Sequence, residues 1–476
     1  MYVKPQGGLL IATTLKKLDS EGAEGANDNY FDVQIESDGE HGTGALITGS
    51  ASANTEAYVQ LHALARHDAY GYLNQHIGIP FAEGSIYDFY NTYLYVFDRT
   101  LGADNENWYA ASRKSSKMDP FTAYNLMRKE SSEGTIYMDG ELNLPGKSGT
   151  KALICDDSDE DHDNNAAGDY MFANSWTAPI DIKAIEEEDF ANAEATIYIF
   201  NAGSTYDEAH ADEAAMDATT AGQWISLPVE ATEVLENELP LTVIPSMQGF
   251  LIKKTGTAAT EAKLTLNYNK HVYAPAAARG AAGIEVKPSR APKRSGVNRP
   301  AVMKLYVDAE SGNRDKLFIL ERADFSDAFD NGWDGRKILG ESYAPQLYAF
   351  SADSKMSIDA ISVIEGTVVG FRKGSKDEVY TISFNYDGTG VYYLNDLKEQ
   401  EATLITNETE YTFVSAAEDA EARFIISATP IQKVPTDIEN TASGEQSAKV
   451  RKLMIDGKMY IIRSGRMYDA LGKRVK

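Results

Sequence analysis

A single cysteine, Cys155, stands in 476 residues, so no internal disulfide can form and burial and backbone pairing must hold the fold in any redox compartment. The chain also lacks any run of 18 apolar residues, which excludes a helical bilayer span. Its opening, MYVKPQGGLLIATTLKKLD, has neither a basic n-region nor a proper apolar h-region, and so does not read as a secretory signal peptide. There is no G-x-S-x-G elbow for a serine nucleophile and no glycine-rich loop ending in Lys-Ser or Lys-Thr for a phosphate. The histidines are scattered: His62, His67 and His76 come nearest together, at spacings that do not place two ligands on one helix face. Positive charge is scarce, 45 Lys and Arg against 72 Asp and Glu, and a net charge of −27 repels nucleic acid.

What the chain has is length and strands. At 476 residues it exceeds a single core, so more than one domain is expected. Tyr, Thr, Val and Ile recur in short runs bounded by Gly, Asn and Asp, as strands require, whereas the Ala- and Glu-rich run Asp207 to Thr220 has almost no apolar face. The spacing predicts an all-β fold: two antiparallel β-sandwich regions, immunoglobulin-like or jelly-roll-like, and a small C-terminal β-module. Residues 1–53 read as the β-rich end of an upstream, solenoid-like region. Residues 54–285 form the first sandwich, with strands in AYVQLHALAR, YLYVFD, GTIYMDGELNL, KALIC, ATIYIFNAG, QGFLIKK and KLTLNYNKHVY. A basic, Pro-rich linker at 286–299 precedes a second sandwich at 300–432, where KLFILE, YTISFN and RFIISA alternate as a sheet with one wet face does. A linker at 433–447 leads to the end module, 448–476.

That module carries nine Lys or Arg against two Asp, a local charge of +7, which leaves −34 on the preceding 447 residues. Such asymmetry points to a tail read by a different partner from the body. Asp456-Gly457 and Ser464-Gly465 cut its apolar residues into short strands joined by tight turns. Gly465, Tyr468, Gly472, Val475 and the terminal Lys476 match the closing pattern of the C-terminal sorting domain of type IX secretion substrates, which the module resembles. The resemblance implies an outer-membrane secretion machinery as partner and a secreted or outer-membrane cell-surface location. A secretion tail without a secretion head implies the C-terminal part of a longer protein.

The body also resembles the β-sandwich regions found upstream of such tails. The phrases that carry this are IGIPF at 77–81, NWYAA with Trp108, PFTAYNL with Tyr124, FANSWTAPID at 172–181 and IPSMQGFLIK at 244–253, then DNGWDGRKILG, YLNDL with Asp396, ETEYTFV and ARFIIS. The family offers no catalytic residue to carry over. In CDDSDEDHDNNAAGD, the alternating Asp157, Asp159, Asp161 and Asp163 offer hard oxygen ligands suited to Ca²⁺, although the glycine and glutamate of an EF-hand are missing. A solvated acidic loop is the preferred reading of the run. Tyr87, Phe89, Tyr90, Tyr93, Tyr95 and Phe97 are dense enough to stack on sugars or anchor a protein, while alternation assigns Tyr93, Tyr95 and Phe97 to the core. The expected function is a non-enzymatic structural or adhesion protein with no required cofactor. A carbohydrate-binding module is the alternative, with a glycan or a host protein as partner.

Overall fold

The computed structural model describes residues 2–3, 8–11, 33–38, 42–48, 55–64, 74–98, 108–130, 132–144, 149–155, 168–202, 221–255, 261–272, 299–351, 354–431, 451–455, 458–463, 466–469 and 474–475. The protein is all-β, and its chain divides into two compact units, Met1–Ser295 and Gly296–Lys476.

In the first unit, short N-terminal strands pair in parallel: Tyr2–Val3 beside Val33–Ile35, Val33–Ile35 beside Glu56–Ala63, and Gly8–Ile11 beside Ala45–Thr48. From Glu56–Ala63 onward the pairing turns antiparallel, with Gly134–Glu141 as its partner along eight register positions. A second sheet faces this one, in the order Trp108–Ala110, Thr92–Phe97, Tyr124–Arg128 and Gln75–Ile77. Val33, Ile35, Val59, Ile136 and Met138 from one sheet pack against Ile77, Val96, Tyr124 and Leu126 from the other. Further along, Asp169–Ala173, Gly249–Lys253, Thr196–Asn201 and Gln223–Pro228 form a third sheet, and Thr150–Cys155, Ala262–Asn267 and Phe190–Ala191 a fourth. Thr196–Asn201 is buried along nearly its whole length, as a central strand covered on both faces must be.

The second unit contains an eleven-stranded sheet. Its order runs Glu401–Leu404, Tyr393–Asp396, Ala422–Ser427, Thr367–Arg372, Gln346–Ser351, Ser354–Ile361, Arg314–Glu321, Ala301–Ala309, Val379–Tyr386 and Glu410–Val414, with Gly335–Arg336 off the path. Only Arg314–Glu321 and Ser354–Ile361 pair in parallel. The sheet curls so that its ends meet: Phe413 on the last strand packs edge-on against Phe424 near the first, at 5.2 Å between ring centroids. One core fills the interior, with Leu305, Val307, Leu317, Ile319, Ile382, Phe384, Phe371 and Phe424 among its members.

Alternation with one wet face holds for Val379–Tyr386, where Tyr380, Ile382 and Phe384 point inward. It fails for KLFILE and RFIISA, which are buried on both faces. The reason is tertiary cover. The connection after Arg314–Glu321 is tied back onto the sheet through Lys337 to Asp315 and Asp334 to the Ala360 amide. On the second strand, Ala422 and Ile425 join Val368 and Leu397 in a satellite core with Phe350 and Ile431 packed against it.

The C-terminal strands form an antiparallel meander of four, Arg451–Ile455, Lys458–Arg463, Arg466–Asp469 and Arg474–Val475, one more than the turn signals predicted. Ile455 lies opposite Lys458 and Arg463 opposite Arg466, so two residues separate the paired strand ends in each case.

Candidate functional site

The quoted phrases of the first unit converge in space. Gly78 of IGIPF donates its amide to Met247 O, Met247 donates to Asn174 O, and Asn174 donates to Gln248 O. The Asn174 amide group also reaches Ala178 O, Ile244 O and Pro245 O at 2.9–3.0 Å, and its Oδ1 accepts the Trp176 amide. Ser175 Oγ accepts the Phe121 amide at 2.6 Å, and Asn143 Nδ2 donates to Ser175 O. Phe121 and Met247 are held at φ values of 61° and 63°, a left-handed conformation that costs on the order of 1–3 kcal/mol each for a side-chain-bearing residue and persists only where surrounding bonds over-determine it. Gly78 is there because a Cβ would sit 2.3 Å from Ala173 Cβ. Trp176, fully buried, meets Phe121 and Tyr268 edge-on. This knot is satisfied from within and fastens strands together.

Beside it lies an aromatic sheet face. On Thr92–Phe97, Leu94 and Val96 point into the core, because their partners Leu126 and Tyr124 do. Period two then turns Tyr93, Tyr95 and Phe97 outward, so the expectation that these three are core is wrong. Tyr93 is 39% exposed, and Tyr95 and Phe97 are half-buried. The neighbouring strand's own apolar set decides the inner face, and the pattern within TYLYVF alone could not show it. Cross-strand register puts Trp108 next to Phe97, Asn125 next to Tyr95, and His76 next to Asn125 on the same outward face. The His76 ring stacks on Trp108 at 5.3 Å and 13°, with Phe200 and Trp224 also within 5.3 Å. Burial pushes its pKa down to about 4, which keeps it neutral. Tyr87 and Tyr90 stand out in solvent nearby in sequence, and Phe89 is buried.

Three further titratable clusters are internally paired. Asp189 accepts Lys270 Nζ at 2.7 Å, and the facing His271 Nε2 lies 3.2 Å from the same carboxylate oxygen. His271 Nδ1 accepts the Asn267 amide, so the imidazole proton lies on Nε2 toward the carboxylate. Burial raises the Asp189 pKa, but the bonds from His271, Lys270 and the Glu186 amide outweigh it and hold the carboxyl below the usual range. In the second unit, Lys337 meets Asp315 at 2.7 Å with both side chains 2% exposed, and Asp315 also accepts the Leu347 amide. Arg423 Nε and Nη2 both donate to Asp396 Oδ2, which accepts Tyr411 Oη as well. This last set joins YLNDL, ETEYTFV and ARFIIS, the phrases quoted for the second sandwich. Asp334, beside Asp359, has its pKa pushed up to about 8 by burial first and by the neighbouring carboxylate second.

Asp157, Asp159, Asp161 and Asp163 lie outside the described residues, as do Gly465, Gly472, Lys476 and His67. Tyr468 falls in the strand Arg466–Asp469 and Val475 in Arg474–Val475. Cys155 ends the strand Thr150–Cys155 and is buried. Among the described residues no group of three or more His, Cys, Asp or Glu could hold a metal ion, and no helix is long and apolar enough to cross a membrane. Sequence reasoning missed Asn174, Asp315, Lys337 and Arg423. Asn174, Lys337 and Arg423 lie within the quoted phrases and Asp315 in the polar run NRDK, so no local pattern distinguished their roles.

No protein-family model matches the chain, and no solved structure matches it. It is 27% identical over 451 residues to the minor fimbrium subunit Mfa5 of Porphyromonas gingivalis, a match that covers 88% of this chain and 34% of that protein. The chain therefore spans about a third of the length of this relative.

Proposed function

We propose that this chain is part of a cell-surface β-protein with a structural or adhesive role in a fimbria-like assembly. The observation that carries the reading is its similarity to a minor fimbrium subunit along 88% of its own length. The chemistry of the body supports it. Among the described residues several charges are held in pairs that tie strands together, Asp315 with Lys337 and Asp396 with Arg423 in the interior and Asp189 with Lys270 half-buried. That pattern supports a structural, non-enzymatic role. An acidic surface outside the cell keeps such a protein soluble. The basic module 448–476 serves as its export address, read by the outer-membrane secretion machinery.

The test is cell fractionation with surface-protease accessibility of the natural-length protein, with and without Ala448 to Lys476. Export by the tail requires that the deletion strand the protein in the periplasm. Surface display without the tail overturns the address, and absence of both forms from the surface and from isolated fimbriae overturns the subunit reading.

A further inference from the structure

We propose that the outward sheet face around His76 is a platform for a neutral sugar chain: the Trp108 and Trp224 rings stack on pyranose units, and His76 Nδ1 and Asn125 Oδ1 meet sugar hydroxyls. This goes beyond the surface-subunit reading and does not depend on it.

Two polar atoms make the face more than an apolar patch. His76 Nδ1 and Asn125 Oδ1 are buried and have no hydrogen-bond partner among the described residues. They belong to directly opposite residues on adjacent strands. His76 as a whole residue is 9% exposed. A buried acceptor left without a partner costs free energy, so two adjacent ones mark a place where an added hydroxyl donor would be stabilising. The Asn125 acceptor is aimed by its own amide, which donates to Asn74 Oδ1 at 2.8 Å. His76 is held from below: Gly249 lies so close that a Cβ would be 2.7 Å from His76 Cβ. The Trp108 and Trp224 rings lie 5.3 Å from the His76 ring, and both residues are half-buried.

Charge selects among ligands. The outward register positions of this sheet are Tyr93, Tyr95, Phe97, Trp108, Ala110, Asn125, Met127 and His76, with no acid and no fixed cation among them. At the margins, Asp98 is paired with Lys114 at 3.0 Å, and Lys129 lies over the Tyr93 ring. A carboxylate or phosphate ligand would find no counter-charge at the centre. A pyranose presents C–H bonds to aromatic faces and hydroxyls to an amide oxygen and a neutral imidazole, which is what this face offers. A folded protein partner fits less well, since both unsatisfied atoms are buried and a broad surface cannot descend to them.

The experiment uses the full chain with four neutral probes, cellohexaose, xylohexaose, mannohexaose and N-acetylchitohexaose, read by saturation-transfer NMR and tryptophan emission. At least one probe is expected to receive saturation and shift the emission. Trp108→Ala and Trp224→Ala should each weaken binding about tenfold, Trp108→Phe by less, and Tyr87→Ala on a separate exposed site not at all. Circular dichroism establishes that each variant folds; should Trp108→Ala fail, Trp108→Phe and Trp224→Ala carry the comparison. The proposal is overturned by silence from all four probes, by binding that survives both tryptophan replacements, or by capture of acidic glycans or proteins alone. Loss of sugar binding leaves surface fractionation unchanged, so the two readings fail separately.

Discussion

Replacing Arg423 by Met should cost the second unit about 4 kcal/mol. Arg423 is 2% exposed and Asp396 fully buried, and the guanidinium makes two bonds to Asp396 Oδ2, at 2.9 and 2.7 Å. Removing one partner of a buried pair costs about 3–5 kcal/mol, because a charge is left uncompensated in the interior. Asp396 would retain Tyr411 Oη and the amides of Lys398 and Glu399, which keeps this part near the lower bound, about 3 kcal/mol. The Arg423 guanidinium also lies 4.4 Å above the Phe413 ring, a contact worth about 1 kcal/mol more. Met fills similar length without the charge, so cavity formation adds little. The assay is urea unfolding followed by the ¹⁹F resonance of 5-fluorotryptophan at Trp333, the sole tryptophan between residues 296 and 476. The double variant Asp396→Asn with Arg423→Met should recover part of the loss, since no unpaired charge remains. As control, Arg314→Met breaks a half-exposed 2.9 Å pair with Asp308 and should cost under about 1 kcal/mol. If Arg423→Met costs no more than the control, or the double variant is as unstable as the two singles summed, the buried pair does not stabilise the second unit.

Further outcomes follow from the same geometry. His76 binds its proton only near pH 4 when folded but near 6.5 when unfolded, so stability is full above 6.5 and declines as pH falls toward 4, by up to about 3 kcal/mol; His76→Phe should remove that part of the slope in paired denaturation series at pH 7 and 4.5. Asp334 runs the opposite way: its raised folded pKa gives stability that is full below about 4 and lost as pH rises toward 8. A ¹³C-carboxyl NMR titration should place its midpoint well above the ordinary range, and Asp359→Asn should lower it by about one unit, an unmoved midpoint refuting the coupling. Gly78→Ala pushes a methyl group to 2.3 Å from Ala173 Cβ and should cost about 3 kcal/mol, read as a drop in the first unit's thermal midpoint.

The strands were legible wherever one physical rule acted alone. YTISFN alternates because one side is core and the other is not, and the tail's registers follow from two dipeptides, Asp456-Gly457 and Ser464-Gly465. Legibility stopped where a distant segment supplied the second condition. KLFILE reads as half-wet until the chain after it is tied across its outer face by Lys337. TYLYVF reads correctly as a strand and wrongly as to its inner side, because Leu126 and Tyr124 on the next strand settle that. The candidate site suffers most from this limit. Trp108 was visible as part of a phrase and His76 as an isolated histidine, but only the register through Asn125 sets them on one face, and only the approach of Phe200 and Trp224 makes that face an aromatic enclosure. Buried polar residues show the same logic in the second unit, where Asp396 and Arg423 stand 27 positions apart. Replacing such a pair with apolar residues is often neutral or stabilising, so its presence is weak evidence of a stability function. What the pair does supply is a geometric condition: Asp396 is satisfied only when strands from both ends of the curled sheet, carrying Tyr411 and Arg423, arrive together. An apolar core would tolerate a slip of register between those ends. This carboxylate would not.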